Sequence, residues 1–150
     1  MGVKLYTLDW SPPVRATMMA CDIFDIPFEK IEVDLYKKEH LTPEYLKYPI
    51  MAEGSKVIEQ SKIDAILEAY GFVEEFLTRT TYIAADHITI ADVAALATMT
   101  AMEMIVPIEA QKFPKTYAWL TKLKETPYCK KHNEPGATLF GNIIKQCLAS

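Results

Sequence analysis

Strand-like sequence is confined to the first 35 residues of this chain of 150. Residues 3–8 form a short apolar run, and residues 28–35 alternate apolar and charged side chains with the period of two that is typical of a half-buried strand. Between them, residues 14–24 are helix formers, and the helix is expected to end before Pro27 because the residue preceding a proline is pushed out of the α region. A right-handed crossover would make the two strands parallel, so the sequence predicts a βαβ unit.

The rest of the chain carries only helix signals. Residues 63–77, for example, keep a 3.6-residue apolar period. The predicted helices are 42–47, 63–77, one that starts at Thr89, 114–124, a short one after Pro127, and 135–148. Two parallel strands with one crossover helix do not make a stable sheet, because three or more strands are normally needed. The N-terminal part is therefore predicted to be incomplete.

Composition and charge exclude several classes of protein. Net charge is −4, and the 16 basic residues are scattered, so nucleic-acid binding is not expected. The longest uncharged apolar stretch, residues 93–102, is shorter than the roughly 20 residues that span a bilayer, and the first ten residues lack a signal-peptide pattern. Cys21, Cys129 and Cys147 are odd in number and far apart, which disfavours a disulfide framework or a thiolate zinc site. We expect a cytoplasmic, reduced protein.

The strongest local signal is Thr89-Ile90-Ala91-Asp92. Thr89 is a good N-cap, and Asp92 is placed to bond back to its backbone amide, much as in a capping box. Ile88 and Val93 occupy the two positions of a hydrophobic staple. This pattern predicts a well-made helix start and no chemistry.

Ser11-Pro12-Pro13 stands between the first strand and the first helix, where two interpretations remain open. Serine at the N-cap with proline at the first helical position is an ordinary helix start. The same helix N-terminus, at the carboxyl end of a parallel strand, also favours an anion. A hydroxyl there could donate to a thiolate, and because no cysteine lies in this stretch the thiolate would belong to a ligand.

The histidines give no sign of a metal site. From its surroundings, His40 is interpreted as a solvated loop histidine near a helix start. His87 and His132 are far from it and show no ligand spacing, so no metal is expected. A Ser-His-Asp order and a phosphate-cradling glycine-rich loop are also missing from the sequence.

Two blocks of the chain resemble insect glutathione transferases, the epsilon class most closely and the delta class next. The first block consists of Leu5-Tyr6, Ser11-Pro12-Pro13-Val14-Arg15, Ile26-Pro27-Phe28-Glu29 and residues 39–47. The second consists of Lys62-Ile63-Asp64-Ala65, residues 85–92, Val106-Pro107-Ile108 and residues 122–128. Both are in family order and together cover nearly all of the chain. The box at Thr89–Asp92 is a hallmark of the family's helical domain.

The resemblance implies an α/β thioredoxin-like N-terminal domain with the glutathione site, here residues 1–49, and an all-helical C-terminal domain, here residues 50–150. It implies an enzyme that binds reduced glutathione as co-substrate and attacks an electrophilic xenobiotic or lipid-derived molecule with its thiolate. Ser11 falls on the serine that donates a hydrogen bond to the sulfur. His40 falls on a histidine that contacts the glycyl end of glutathione, and Pro12 falls on the wall between the two substrates.

The chain departs from the family after Lys47. It passes from Pro49 to Ile50, into a segment that resembles sequence far downstream. The family elements lost include a cis-proline loop, the last two strands and last helix of the thioredoxin-like domain, about half of the glutathione contacts, and most of the usual homodimer interface. We therefore expect weak activity. The alternatives are a non-catalytic binding or scaffold protein with an uncovered apolar face, and a splice product or imperfect gene model.

Overall fold

The computed structural model describes residues 3–33 and 58–149. A βαβ unit comes first, formed by β1 (Val3–Thr7), α1 (Pro12–Ile23) and β2 (Phe28–Glu32). β1 and β2 run parallel, with Val3 opposite Phe28 and Thr7 opposite Glu32, and they make up the whole sheet of the described residues. The predicted parallel pair is confirmed, with each strand slightly shorter than its sequence signal.

Helix α1 begins at Pro12, two residues before the predicted stretch of helix formers, with Ser11 at the N-cap position and proline in the first turn, where its fixed φ suits a helix. The helix ends at Ile23, before Pro27, as predicted. Asp25 has a φ of 51°, in the left-handed region that aspartate tolerates better than most residues. The Ile26 N–H donates to the Cys21 carbonyl over 2.8 Å, and this turn redirects the chain at Pro27 into β2.

Residues 58–149 form four further α-helices: α2 (Gln60–Arg79), α3 (Ile90–Glu103), α4 (Pro114–Lys124) and α5 (Glu134–Ala149). The first three confirm their predicted counterparts. In the described part of the chain, every helix is too short or too polar to cross a membrane. The helix predicted at 42–47 and the boundary predicted between residues 49 and 50 lie outside the described residues.

The helix predicted at 135–148 is confirmed as α5, and the short helix predicted after Pro127 is present but is not separate from it. Helical residues at Pro127 and Tyr128 run without a break into a π-helical turn, Cys129–Asn133, and from there into α5. Pro135, the first residue of the predicted last helix, lies in the first turn after the π turn. The wider π turn has no 3.6-residue period, so a periodicity argument does not detect it.

Asp92, the acidic residue of the predicted capping box, is fully buried. Its Oδ2 accepts hydrogen bonds from the Thr89 N–H and hydroxyl, both over 2.9 Å. Its Oδ1 accepts from the Ile83 N–H over 2.9 Å and from the Trp119 indole over 3.0 Å. The box is confirmed, and it extends beyond the helix start because it also fastens α4 and the loop before α3.

The core lies between the helices, and α1 contributes to it. Met19 of α1 is completely buried in the same cluster as Tyr70 of α2 and Leu96 of α3. The other buried members are Leu77, Val93, Ala97, Met99, Ile108, Phe113, Trp119, Leu120, Leu123 and Cys129. The Tyr70 hydroxyl donates to the Val106 carbonyl over 2.8 Å, and burial raises the pKa of this phenol. Packing of α1 on α3 thus attaches the βαβ unit to the helices.

Glu74 of α2 caps the start of α4. The N-cap of α4, Phe113, has no side-chain acceptor to offer. The Glu74 carboxylate accepts instead from the Lys115 N–H over 3.1 Å and from the Thr116 N–H and hydroxyl, both over 2.8 Å. Burial by itself raises the pKa of Glu74, but the Thr116 and Lys115 amides outweigh it and hold the pKa below its ordinary value of 4.5.

Replacing Glu74 by glutamine is expected to lower the free energy of unfolding by about 1 kcal/mol at neutral pH. Because the folded-state pKa is depressed, the carboxylate stabilises the fold above its unfolded-state pKa, and this contribution is lost as pH falls through the folded-state pKa. The difference between wild type and Glu74→Gln should therefore shrink as pH falls below the ordinary carboxyl pKa, and it should vanish once pH is below the depressed folded-state pKa of Glu74. Denaturant unfolding at several pH values measures it, with exposed Glu75→Gln as the control expected to change little.

Candidate functional site

Ser11 lies in the loop between β1 and α1, at the carboxyl end of the strand. The Ser11 N–H donates to the Leu8 carbonyl over 2.8 Å and closes the loop between the two elements. Its backbone is extended, with φ −74° and ψ 120°, as an N-cap requires. Its half-buried side chain, however, makes no capping hydrogen bond. The hydroxyl is therefore not used to start the helix.

The N-terminus of α1 offers few backbone donors. Pro12 and Pro13 occupy its first positions and have no N–H, and the Arg15 N–H donates to the Ser11 carbonyl over 3.1 Å. Among the described residues this leaves the Val14 N–H as the one first-turn amide without a backbone acceptor. An anion at this helix end would thus depend on the Ser11 hydroxyl much more than at an ordinary helix N-terminus.

An ion pair fixes the loop before Ser11 to the neighbouring strand. Lys30 of β2 donates to Asp9 Oδ2 over 2.7 Å and to Glu32 Oε1 over 3.1 Å. The hydrogen bond to Asp9 is the main reason that the pKa of Lys30 is raised. The carboxyl ends of both strands and the serine loop are therefore joined in one place.

Arg15, one turn into α1, is completely buried. Its Nη1 donates to Asn133 Oδ1 over 2.7 Å, to Thr100 Oγ1 over 3.3 Å and to the Asn133 carbonyl over 3.4 Å. Burial lowers the pKa of Arg15 to about 10, so the guanidinium still carries its charge at neutral pH. The first turn of α1 is thus anchored to α3 and to the π turn.

Gly136 of α5 allows the chain to pass close to the serine loop. A Cβ at this position would overlap the Asp9 carbonyl oxygen and would lie 2.7 Å from Arg15 Cδ. Any other residue at 136 would push α5 away from the loop that carries Ser11.

The structure describes some of the site residues predicted from the sequence but not all of them. Ser11 and half-buried Pro12 lie side by side at the start of α1, whereas His40 lies outside the described residues. Sequence reasoning missed Asn133 and Gly136, since neither belongs to a local motif. For Arg15 the sequence offered one hint. It precedes Met18 and Met19 by three and four residues, so a helix places it on the same face as these two apolar side chains. Residues 3–33 and 58–149 contain no group of three His, Cys, Asp or Glu side chains that could hold a metal ion.

Comparison with known proteins points to one family. Residues 23–127 match the family model described as the C-terminal domain of glutathione S-transferase. Glutathione S-transferase 1 of Manduca sexta is 24% identical over 218 aligned positions, which cover 99% of this chain and 100% of the relative. That alignment exceeds the present chain by 68 positions. Glutathione S-transferase D7 of Anopheles gambiae is 31% identical over 104 positions, 67% of this chain and 47% of the relative.

Solved structures show the same likeness. An epsilon-class glutathione S-transferase from the housefly Musca domestica superposes with a TM-score of 0.85 at 28% identity, covering 96% of this chain and 97% of that one. A glutathione transferase homologue from Drosophila mojavensis, described with bound glutathione, gives a TM-score of 0.85 at 26% identity, with 97% of each chain covered. The βαβ unit and the helices are arranged as in these proteins, so the fold is a thioredoxin-like remnant followed by an all-helical domain.

Proposed function

The chain belongs to the glutathione S-transferase family, and we propose that it binds reduced glutathione at the start of α1 and holds the thiol as a thiolate. The thiolate attacks the electrophilic carbon of a xenobiotic or lipid-derived molecule and forms a thioether. Ser11 is the proposed catalytic residue, and its hydroxyl donates a hydrogen bond to the sulfur. This bond stabilises the anion and lowers the pKa of the thiol, while the serine itself does not act as a nucleophile.

The observation that carries the proposal is the Ser11 hydroxyl, which makes no capping hydrogen bond to α1 and has no partner among the described residues. It stands at the carboxyl end of a parallel strand and at the positive end of a helix, which is where an anion is favoured. Because two prolines remove neighbouring amide donors, the hydroxyl is the group best placed to meet the sulfur. In the proposal, His40 contacts the glycyl end of glutathione, and Pro12 separates glutathione from the second substrate. The proposed location of the protein is the cytoplasm.

The same proposal includes weak turnover. The alignment with the Manduca sexta relative leaves many positions of that protein without a counterpart in this chain. Fewer contacts would fix the direction of the sulfur, and positioning of this kind contributes several kcal/mol to enzymatic rate acceleration. We also propose that the homodimer usual in this family is weakened, because the missing elements include most of its interface.

The first experiment is a thermal unfolding scan of the purified chain with and without reduced glutathione. A ligand that binds only the folded state adds about 2.7 kcal/mol of stability when present at about 100 times its dissociation constant. For a chain of this size, we expect a single transition that rises by about 5 to 10 °C under those conditions. Oxidised glutathione at matched concentration is the control for nonspecific effects. A cooperative transition whose midpoint temperature does not change with reduced glutathione would contradict the proposal.

A second candidate function is binding of apolar ligands or partners without catalysis. Phe72 and Phe76, one turn apart on α2, are 57% and 42% exposed. An exposed aromatic pair of this kind is typical of a surface that another element or molecule covers. A chain that unfolds cooperatively, is unaffected by glutathione and is stabilised by a hydrophobic dye would favour this function over the first.

A further inference from the structure

We propose that Asn133 and Gly136 are positioning residues for Ser11: from the C-terminal part of the chain, they fix the first turn of α1 and the loop before it. The inference rests on the proposed function for its chemical consequence. Its structural content, however, concerns only the described contacts between α1, the π turn and α5.

The first contact works through Arg15. Asn133 Oδ1 is the nearest acceptor of its guanidinium, at 2.7 Å, and Nε and Nη2 of the same side chain have no acceptor among the described residues. A buried cation with so few partners depends strongly on the ones it has. Loss of the Asn133 amide would leave Thr100 Oγ1 and the Asn133 carbonyl, both at longer distances.

Movement of Arg15 is transmitted directly to Ser11. The Arg15 N–H donates to the Ser11 carbonyl, so the two residues are held by one backbone hydrogen bond of the first helical turn. The Arg15 side chain cannot shift toward solvent unless this turn opens or rotates, because the residue is completely buried. Through Arg15, which lies 118 positions before it in sequence, Asn133 is thereby coupled to the orientation of the Ser11 hydroxyl.

The second contact works on the other side of Ser11. Gly136 lies against the Asp9 carbonyl, two residues before Ser11, and against Arg15 Cδ, four residues after it. An alanine there would have to displace backbone atoms of the loop as well as a side chain. Asn133 and Gly136 are three residues apart, so a short stretch across the junction of the π turn and α5 contacts both flanks of Ser11.

A misplacement of about 1 Å costs a reaction about 100-fold when geometry is critical. We therefore expect Asn133→Ala and Gly136→Ala to lower kcat by about 10- to 100-fold, with a smaller change in the KM for glutathione. The thiol of bound glutathione should titrate closer to the free thiol in both variants. Asn133→Asp keeps an oxygen acceptor facing Arg15 and should retain most of the wild-type behaviour.

The test combines two measurements on the full chain. Amide hydrogen exchange reports the Ser11 N–H and Arg15 N–H, and ultraviolet absorbance of the thiolate follows the titration of added reduced glutathione. In Asn133→Ala and Gly136→Ala, exchange of these two amides should accelerate at least about tenfold relative to wild type. Glu74→Gln, which loosens α2 against α4, is the control for general destabilisation and should leave both amides and the thiol titration unchanged.

The outcomes separate this inference from the proposed function. If Asn133→Ala exchanges its Ser11 and Arg15 amides no faster than the Glu74→Gln control does, the positioning role is wrong, whatever the activity. If exchange of the two amides accelerates in Asn133→Ala and returns to the wild-type rate in Asn133→Asp, the positioning role stands. It stands even if the wild-type protein does not change the pKa of the glutathione thiol. In that last case only the proposed function fails. Because Gly136→Ala is the substitution more prone to misfolding, Asn133→Ala decides the result.

Discussion

Replacing Asp92 by alanine is expected to lower the free energy of unfolding by about 3 to 5 kcal/mol. The carboxylate is completely buried and accepts four hydrogen bonds, from two backbone amides, one hydroxyl and the Trp119 indole. Alanine would leave all four donors without an acceptor, and each buried donor left unpaired costs about 1 to 3 kcal/mol unless water reaches it. Since domains are stable by only about 5 to 15 kcal/mol, the variant is expected to be close to unfolding at 37 °C.

Denaturant unfolding of wild type and variant measures this loss. Asp86→Ala is the matched control, because Asp86 also accepts from a backbone amide and a hydroxyl, those of Thr81, but is exposed. We expect the control to cost less than about 1 kcal/mol. Trp119→Phe removes one of the four donors and should fall between the two. A cost for Asp92→Ala as small as that of Asp86→Ala would show that the buried network does not hold the helices together.

The sequence predicted those features that depend on residues within one turn of each other. The capping box at Thr89 and Asp92 and the start of α1 at Ser11 and Pro12 both belong to this group. Neighbouring residues determine them through local hydrogen bonds and charges, so spacing alone reveals them.

Features made by distant parts of the chain could not be predicted in this way. Glu74 caps α4 across 42 positions, and Arg15 meets Asn133 across 118. The need for glycine at 136 arises only because α5 passes close to Asp9. None of these contacts leaves a periodic or local pattern, and each depends on how the helices pack. Ser11 and the helix start beside it could therefore be predicted from the sequence. The contacts that hold Ser11 in place could not.

Ser11→Ala is expected to reduce kcat/KM for conjugation by about 100- to 1,000-fold, the usual effect of removing one donor to a developing or resident anion. The structure makes this expectation stronger than for an ordinary helix terminus. Because Pro12 and Pro13 have no N–H, few backbone amides are available to replace the lost hydroxyl. The thiol of bound glutathione should accordingly titrate near its free value in the variant.

The same substitution should leave stability almost unchanged, which separates a chemical role from a structural one. Loss of a serine N-cap normally costs about 1 kcal/mol, but the Ser11 side chain makes no capping hydrogen bond here, so we expect less than about 0.5 kcal/mol. Thr17→Val is the matched control, since it deletes an exposed hydroxyl of α1 that donates to the Pro13 carbonyl. If Ser11→Ala and Thr17→Val have equal effects on thiolate formation and turnover, Ser11 is only the beginning of a helix.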